Sequence, residues 1–116
     1  MGLDTFASRA ANDVVLTEED ERAFDAAGLE LCGGMYSGAE SSFRGKVYGE
    51  LVRDVTGVSL YDEWIPPETV QKMADALEAC DPATEAEPGI PPSVVRDLAR
   101  FFRICADRDL GLIGWW

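Results

Sequence analysis

Residues 93–109 read SVVRDLARFFRICADRD, and their spacing decides the class of fold. At about 100° per residue, Val94, Val95, Leu98, Phe101, Phe102, Cys105 and Ala106 gather on one side, with Arg96, Arg100 and Arg103 opposite them. A helical period held along the whole stretch predicts an amphipathic helix from Ser93 to about Asp109, one face on a core.

Working outward from that helix, the preceding DPATEAEPGIPP at 81–92 is acidic and Pro-rich. It predicts an exposed, semi-stiff loop, because proline removes backbone donors from helix and sheet interiors alike. Ahead of it, Pro66 and Pro67 sit where a helix start tolerates a missing N–H. Val70, Met73, Ala74 and Leu77 then form a stripe, with Glu68, Asp75 and Glu78 on the wet side. In VSLYDEWIPPE, 58–68, Ser59 and Asp62 have the spacing of a short capped turn carrying Leu60 and Trp64, with an extended segment as the alternative; either way the aromatics face the core.

A further helix is expected over Ser42–Thr56, where Phe43, Val47, Leu51 and Val55 make one face, Tyr48 and Val52 widen it, and Gly57 stops it. Gly45 and Gly49 cost that helix roughly 1 kcal/mol each relative to alanine, so another element is expected to cross there at close range. The first helix is expected from Glu18 to about Cys32. Thr17 is its N-cap, Asp20 holds the capping-box position, and Glu18, Glu19 and Glu21 meet the positive end of the dipole. Phe24, Ala27, Gly28 and Leu31 form its stripe, and Gly33 and Gly34 end it. The four acids are read as a solvated first turn, since their spacing is not that of a calcium loop. Val14–Leu16 suit a short strand, and residues 1–13 lack periodicity and are expected to be flexible. In the tail, LGLIGWW, Trp115 and Trp116 are too large to leave in water, so at least one docks on the domain or on a partner.

The expected fold is therefore mainly α. Residues 14–116 form a single compact domain of about four helices, with the option of a short strand pair, an exposed loop at 81–92 and a flexible N-terminus at 1–13. A chain of 116 residues suits one domain, burying roughly 65% of its unfolded surface. No apolar run approaches the roughly 18 residues of a membrane span, and the N-terminus lacks the features of a secretory signal and the spacing for myristoylation, so a soluble cytoplasmic protein is expected.

Charge and composition narrow the function. The chain carries 22 acidic and 10 basic side chains, a net charge of −12. Such a field repels phosphates, which disfavours direct nucleic-acid binding and favours a basic protein partner. Solvation in a salty cytoplasm explains the same excess equally well. There is no histidine, which removes the usual general base, the usual partner of a nucleophilic Cys or Ser, and the commonest zinc ligand. The three cysteines, Cys32, Cys80 and Cys105, match neither a disulfide framework nor a metal spacing. Reduced thiols are expected, and Cys32 and Cys105 read as small buried residues. No metal site, cofactor motif or catalytic residue is expected.

One stretch imitates a phosphate-binding loop: CGGMYSGAESSFRGKVYGEL, 32–51. It fails the P-loop pattern twice, with Glu40 five residues before Gly45 and Val47 where a Mg²⁺-binding hydroxyl belongs. The dinucleotide spacing is absent too. What survives is an anion pocket at a helix start, built from Ser41 or Ser42, Arg44 and Tyr48 with carboxylates from 62–63 nearby. Arg44 falls inside the apolar stripe. It therefore snorkels, pairs with a carboxylate such as Glu40, Asp62 or Glu63, or reaches a bound anion, and the structural options carry more weight. Arg96, Arg100 and Arg103 suit a docking surface for an acidic partner, although solvation or pairing with Asp97 and Asp107 is favoured. Three readings follow: a non-catalytic protein-interaction or regulatory module, more consistent with these residues than an enzyme; a small-anion or metabolite-binding protein centred on Ser41–Arg44; and an oligomeric building block joined through Gly45 and Gly49 or through Trp115 and Trp116.

Overall fold

A four-stranded antiparallel sheet organises the molecule, a computed structural model that describes residues 4–11, 15–29, 31, 42–85 and 90–115. Strand β1 (Asp4–Ser8) pairs with the last strand, Gly111–Trp115, in a continuous register from Asp4 opposite Trp115 to Ser8 opposite Gly111. Among the described residues, five helical segments and two short strands lie between them: α1 (Glu18–Ala27), β2 (Ser42–Phe43), α2 (Gly45–Thr56), β3 (Trp64–Ile65), α3 (Pro67–Ala79), α4 (Pro82–Glu85) and α5 (Pro92–Asp107); the last strand is β4. The sheet order is β2-β1-β4-β3. The fold is thus mixed α and β rather than mainly α, and the strand pair allowed for is a full sheet.

Residues 4–8 belong to the centre of that sheet, not to a flexible N-terminus. All of β1 is buried, which is why no alternation marks it: a strand covered on both faces has no wet side to pattern. Thr5 is fully buried, and its Oγ1 has no hydrogen-bond partner among the described residues. Gly111 lets β3 approach β4, since a Cβ there would collide with the Ile65 carbonyl oxygen and the Trp64 ring. Val15 and Leu16 lie in no strand; Val14, Cys32–Ser41 and Trp116 lie outside the described residues, as do the side chains of Val47 and Trp115.

The helices follow their periodicity closely, with corrections at the ends. α3 begins at Pro67 as expected and buries Val70, Met73, Ala74 and Leu77. α5 starts one residue early at Pro92, and its buried side is Val95, Leu98, Ala99, Phe101, Phe102 and Cys105, Val94 and Ala106 being half-buried. α2 begins at Gly45, three residues late, because Ser42 and Phe43 join the sheet and Phe43 drives its ring into the core, 4.9 Å from Phe101 and edge-on to it. α1 ends a turn early, since Gly28 takes the left-handed conformation (φ +61°) and its N–H bonds the Asp25 carbonyl. The loop at 81–92 contains one helical turn, α4: Pro82 occupies its first position, and Asp81 Oδ1 accepts from the Ala83 N–H at 3.0 Å. No close crossing occurs at Gly49, where a Cβ would meet nothing nearer than the Tyr61 ring at 3.9 Å. Leu60 is buried and Trp64 half-buried, but Tyr61 is exposed.

α3 and α5 form the most extensive helix pair, and Phe24, Phe43, Phe101 and Phe102 are fully buried against them. Ala7, Ile65 and Leu112 bring the sheet into the same core.

Candidate functional site

The helix start at Ser41–Arg44 is rearranged by β2. Ser42 is a buried strand residue opposite Phe6, and Tyr48 is buried with its ring 5.8 Å from Phe43. Arg44 occupies the N-cap position of α2 with no side-chain capping bond. It is half-buried and enters no ion pair among the described residues, and Asp62 and Glu63 are both exposed. Ser41 and Glu40 lie outside the described residues.

The α5 arginines have separate duties. Arg96 is exposed. Arg100 donates to the Ala27 carbonyl at 2.8 Å, satisfying an acceptor that the end of α1 leaves open, and lies 3.5 Å from Asp97. Arg103 donates to both carboxylate oxygens of Glu78, at 2.9 and 2.8 Å, and to Asp75, joining α5 to α3. These bonds raise the Arg103 pKa and hold the Glu78 carboxyl below its ordinary value. All three carboxylate and guanidinium groups keep contact with water, so the network orders two helices more than it stabilises them. Arg100, Arg103 and Glu78 rim an open groove of about 410 Å³, whose remaining lining is Ile104 and the alanines of α1, Ala23, Ala26 and Ala27.

The strongest electrostatic feature is one that sequence reasoning placed in solvent. Asp20 is fully buried. Arg9 donates to it through two nitrogens at 2.9 and 2.7 Å, Arg108 Nε donates at 2.7 Å, and the Thr17 N–H donates at 3.0 Å while Thr17 Oγ1 accepts the Asp20 N–H. The Arg9 bonds foremost, against the cost of burial, hold this carboxyl well below the usual range, with help from Thr17 and Arg108. Position 20 lies one turn before Phe24 on the strip that carries Ala27, so helical projection alone marks it as inward-facing. Its partners, at the end of β1 and just beyond α5, have no local signal.

Cys105 is fully buried, and burial followed by the charge of Asp20 pushes its thiol pKa up, away from reactivity. Cys80, at the end of α3, donates its S–H to the Leu77 carbonyl at 3.1 Å. Among the described residues no group of three or more Cys, Asp or Glu side chains is placed to hold a metal ion, and no helix is long and apolar enough to cross a membrane. Comparison of the chain with protein-family models, curated proteins and solved structures found no match.

Proposed function

We propose that this chain is a non-catalytic protein-interaction module whose partner is basic. The reading is carried by where the cations go. Arg9, Arg22, Arg100, Arg103 and Arg108 all enter ion pairs within the fold, while the exposed acids Glu21, Asp25, Glu50 and Asp54 enter none among the described residues. Four of these arginines join separate elements, Arg22 pairing within α1, while Arg44, Lys46, Arg53, Lys72 and Arg96 enter no ion pair among the described residues; with 22 acids against 10 basic groups the surface stays strongly acidic, and it attracts positive surfaces over about a Debye length, ~8 Å at physiological salt. A cytoplasmic setting agrees with Cys105 being a buried thiol outside any disulfide among the described residues.

The test is capture of partners by the immobilised chain at low and high salt, repeated with Glu21→Lys/Asp25→Lys. A basic protein held by the native chain, released by salt and lost with the charge-reversed chain supports the proposal. A thermal midpoint that climbs steadily toward molar potassium chloride, with no basic protein retained, assigns the charge to solvation instead.

Arg44 supports a second reading, a small-anion site, because it stands half-buried at a helix N-terminus with no ion pair among the described residues. Phosphate-dependent thermal stabilisation that disappears in Arg44→Ala is the outcome this reading requires.

A further inference from the structure

Helix α1 is seated differently from the other long helices. It buries two residues, Asp20 and Phe24, whereas α3 buries Val70, Met73, Ala74 and Leu77, and α5 is apolar along its whole inner face. α1 runs antiparallel to α5 in a register that its contacts define. Asp20 stands opposite Arg108, with its charge felt at Cys105; the Phe24 ring lies 4.9 Å from Phe101; and the Ala27 carbonyl takes the Arg100 guanidinium. One aromatic plug therefore sits between two polar pins, and the alanines between them leave the groove of about 410 Å³ unfilled. Ten residues are too few for a helix to persist alone in water, so α1 lasts only while its seat does. Pins made of hydrogen bonds exchange with water at a small fraction of their gross strength.

We infer that α1 is a strap that lifts from α5 as a unit while α3, α5 and the sheet remain folded, and that lifting opens Cys105 and the Phe101 ring to solvent. Phe101 and Cys105 are one turn apart on the strip of α5 that faces Phe24 and Asp20, so removing the strap uncovers both together. The closed and lifted forms then offer a partner different surfaces, one polar and one with an aromatic notch. This holds whatever charge the partner carries.

Native-state hydrogen exchange on the full chain, resolved by peptide and run across low denaturant concentrations, decides it. Amides of α1 are expected to exchange at least ~100-fold faster than the slowest amides of α3 and α5, with a shallower denaturant dependence, as local opening requires. Val70→Ala, about two turns along α3 from the Glu78 that borders the α1 groove, is expected to speed exchange in α3 and α5 by about tenfold or more while leaving α1 unchanged, since the seat it damages survives strap opening. Labelling of Cys105 by a maleimide, read by mass spectrometry, is expected to keep pace with α1 exchange in both proteins. A single opening rate and denaturant slope shared by α1, α3 and α5 overturns the inference, as does Cys105 labelling that follows α3. If Val70→Ala does not fold, the denaturant slopes of the native chain alone separate a lifting strap from global opening.

Discussion

Helices α1 and α5 lie side by side and are held by opposite means. α5 presents a continuous apolar face with Phe101 and Phe102 fully buried, and its arginines act at the periphery. α1 presents a buried carboxylate and one ring. Apolar burial does not titrate; a buried ion pair does, and it becomes a liability once one member is removed. The same segment of surface thus joins a part of the core that pH barely affects to a part that pH tunes.

The largest blow to this contrast is Phe101→Ala, which removes a ring shared by both helices and by β2. A loss of about 3–5 kcal/mol is expected in urea denaturation, and a much smaller loss would mean that the aromatic cluster repacks. Asp20→Asn tests the other side. It leaves Arg9 and Arg108 without their common carboxylate, and because both guanidinium groups are partly exposed the expected cost is about 2–3 kcal/mol, below that of a fully buried pair. The carboxyl is depressed in the folded state, so its contribution is fully present above the unfolded value, about 3.9, and is lost as pH falls through the acid range. The difference in thermal midpoint between Asp20→Asn and the native chain should therefore be constant above about pH 5 and shrink below about pH 4; a difference that persists in acid would deny the ion pairs their role.

Thr5 is the counter-case to Asp20, a buried polar group with no bond at its hydroxyl among the described residues. Thr5→Val keeps the shape and removes the unpaired oxygen, and a gain of about 1 kcal/mol is expected by thermal unfolding. The smallest effect belongs to Gly49→Ala on α2, where only Tyr61 is near: a gain of a few tenths to about 1 kcal/mol from helix propensity alone. A loss there would restore the close crossing that the glycine pair first implied.

The sequence exposes α5, α3 and most of α2 because each has one wet face, and a wet face writes a period into the residues. It hides the sheet for the converse reason. DTFAS is buried on both sides, β2 and β3 contribute two residues each, and β4 carries Gly111 and Gly114, so no strand shows alternation for long enough to be read. The site divides the same way. Arg100 and Arg103 are legible as a stripe, but an α1 carbonyl and two α3 carboxylates as their destinations are tertiary facts. Asp20 is legible as a capping residue, and only the assembled fold reveals that Arg9 and Arg108 converge on it.

The pairing of β1 with β4 has a consequence in time. On the ribosome, residues 4–8 are made about 100 residues ahead of residues 111–115, and at roughly 5–20 residues per second the earlier strand waits on the order of 5–20 s for its central partner. Through that interval the β1–β4 ladder cannot close, and a short strand of mixed character is easier to keep dissolved than an apolar one. The Asp and Ser at the ends of DTFAS, which disguise it as disordered, are what let it wait.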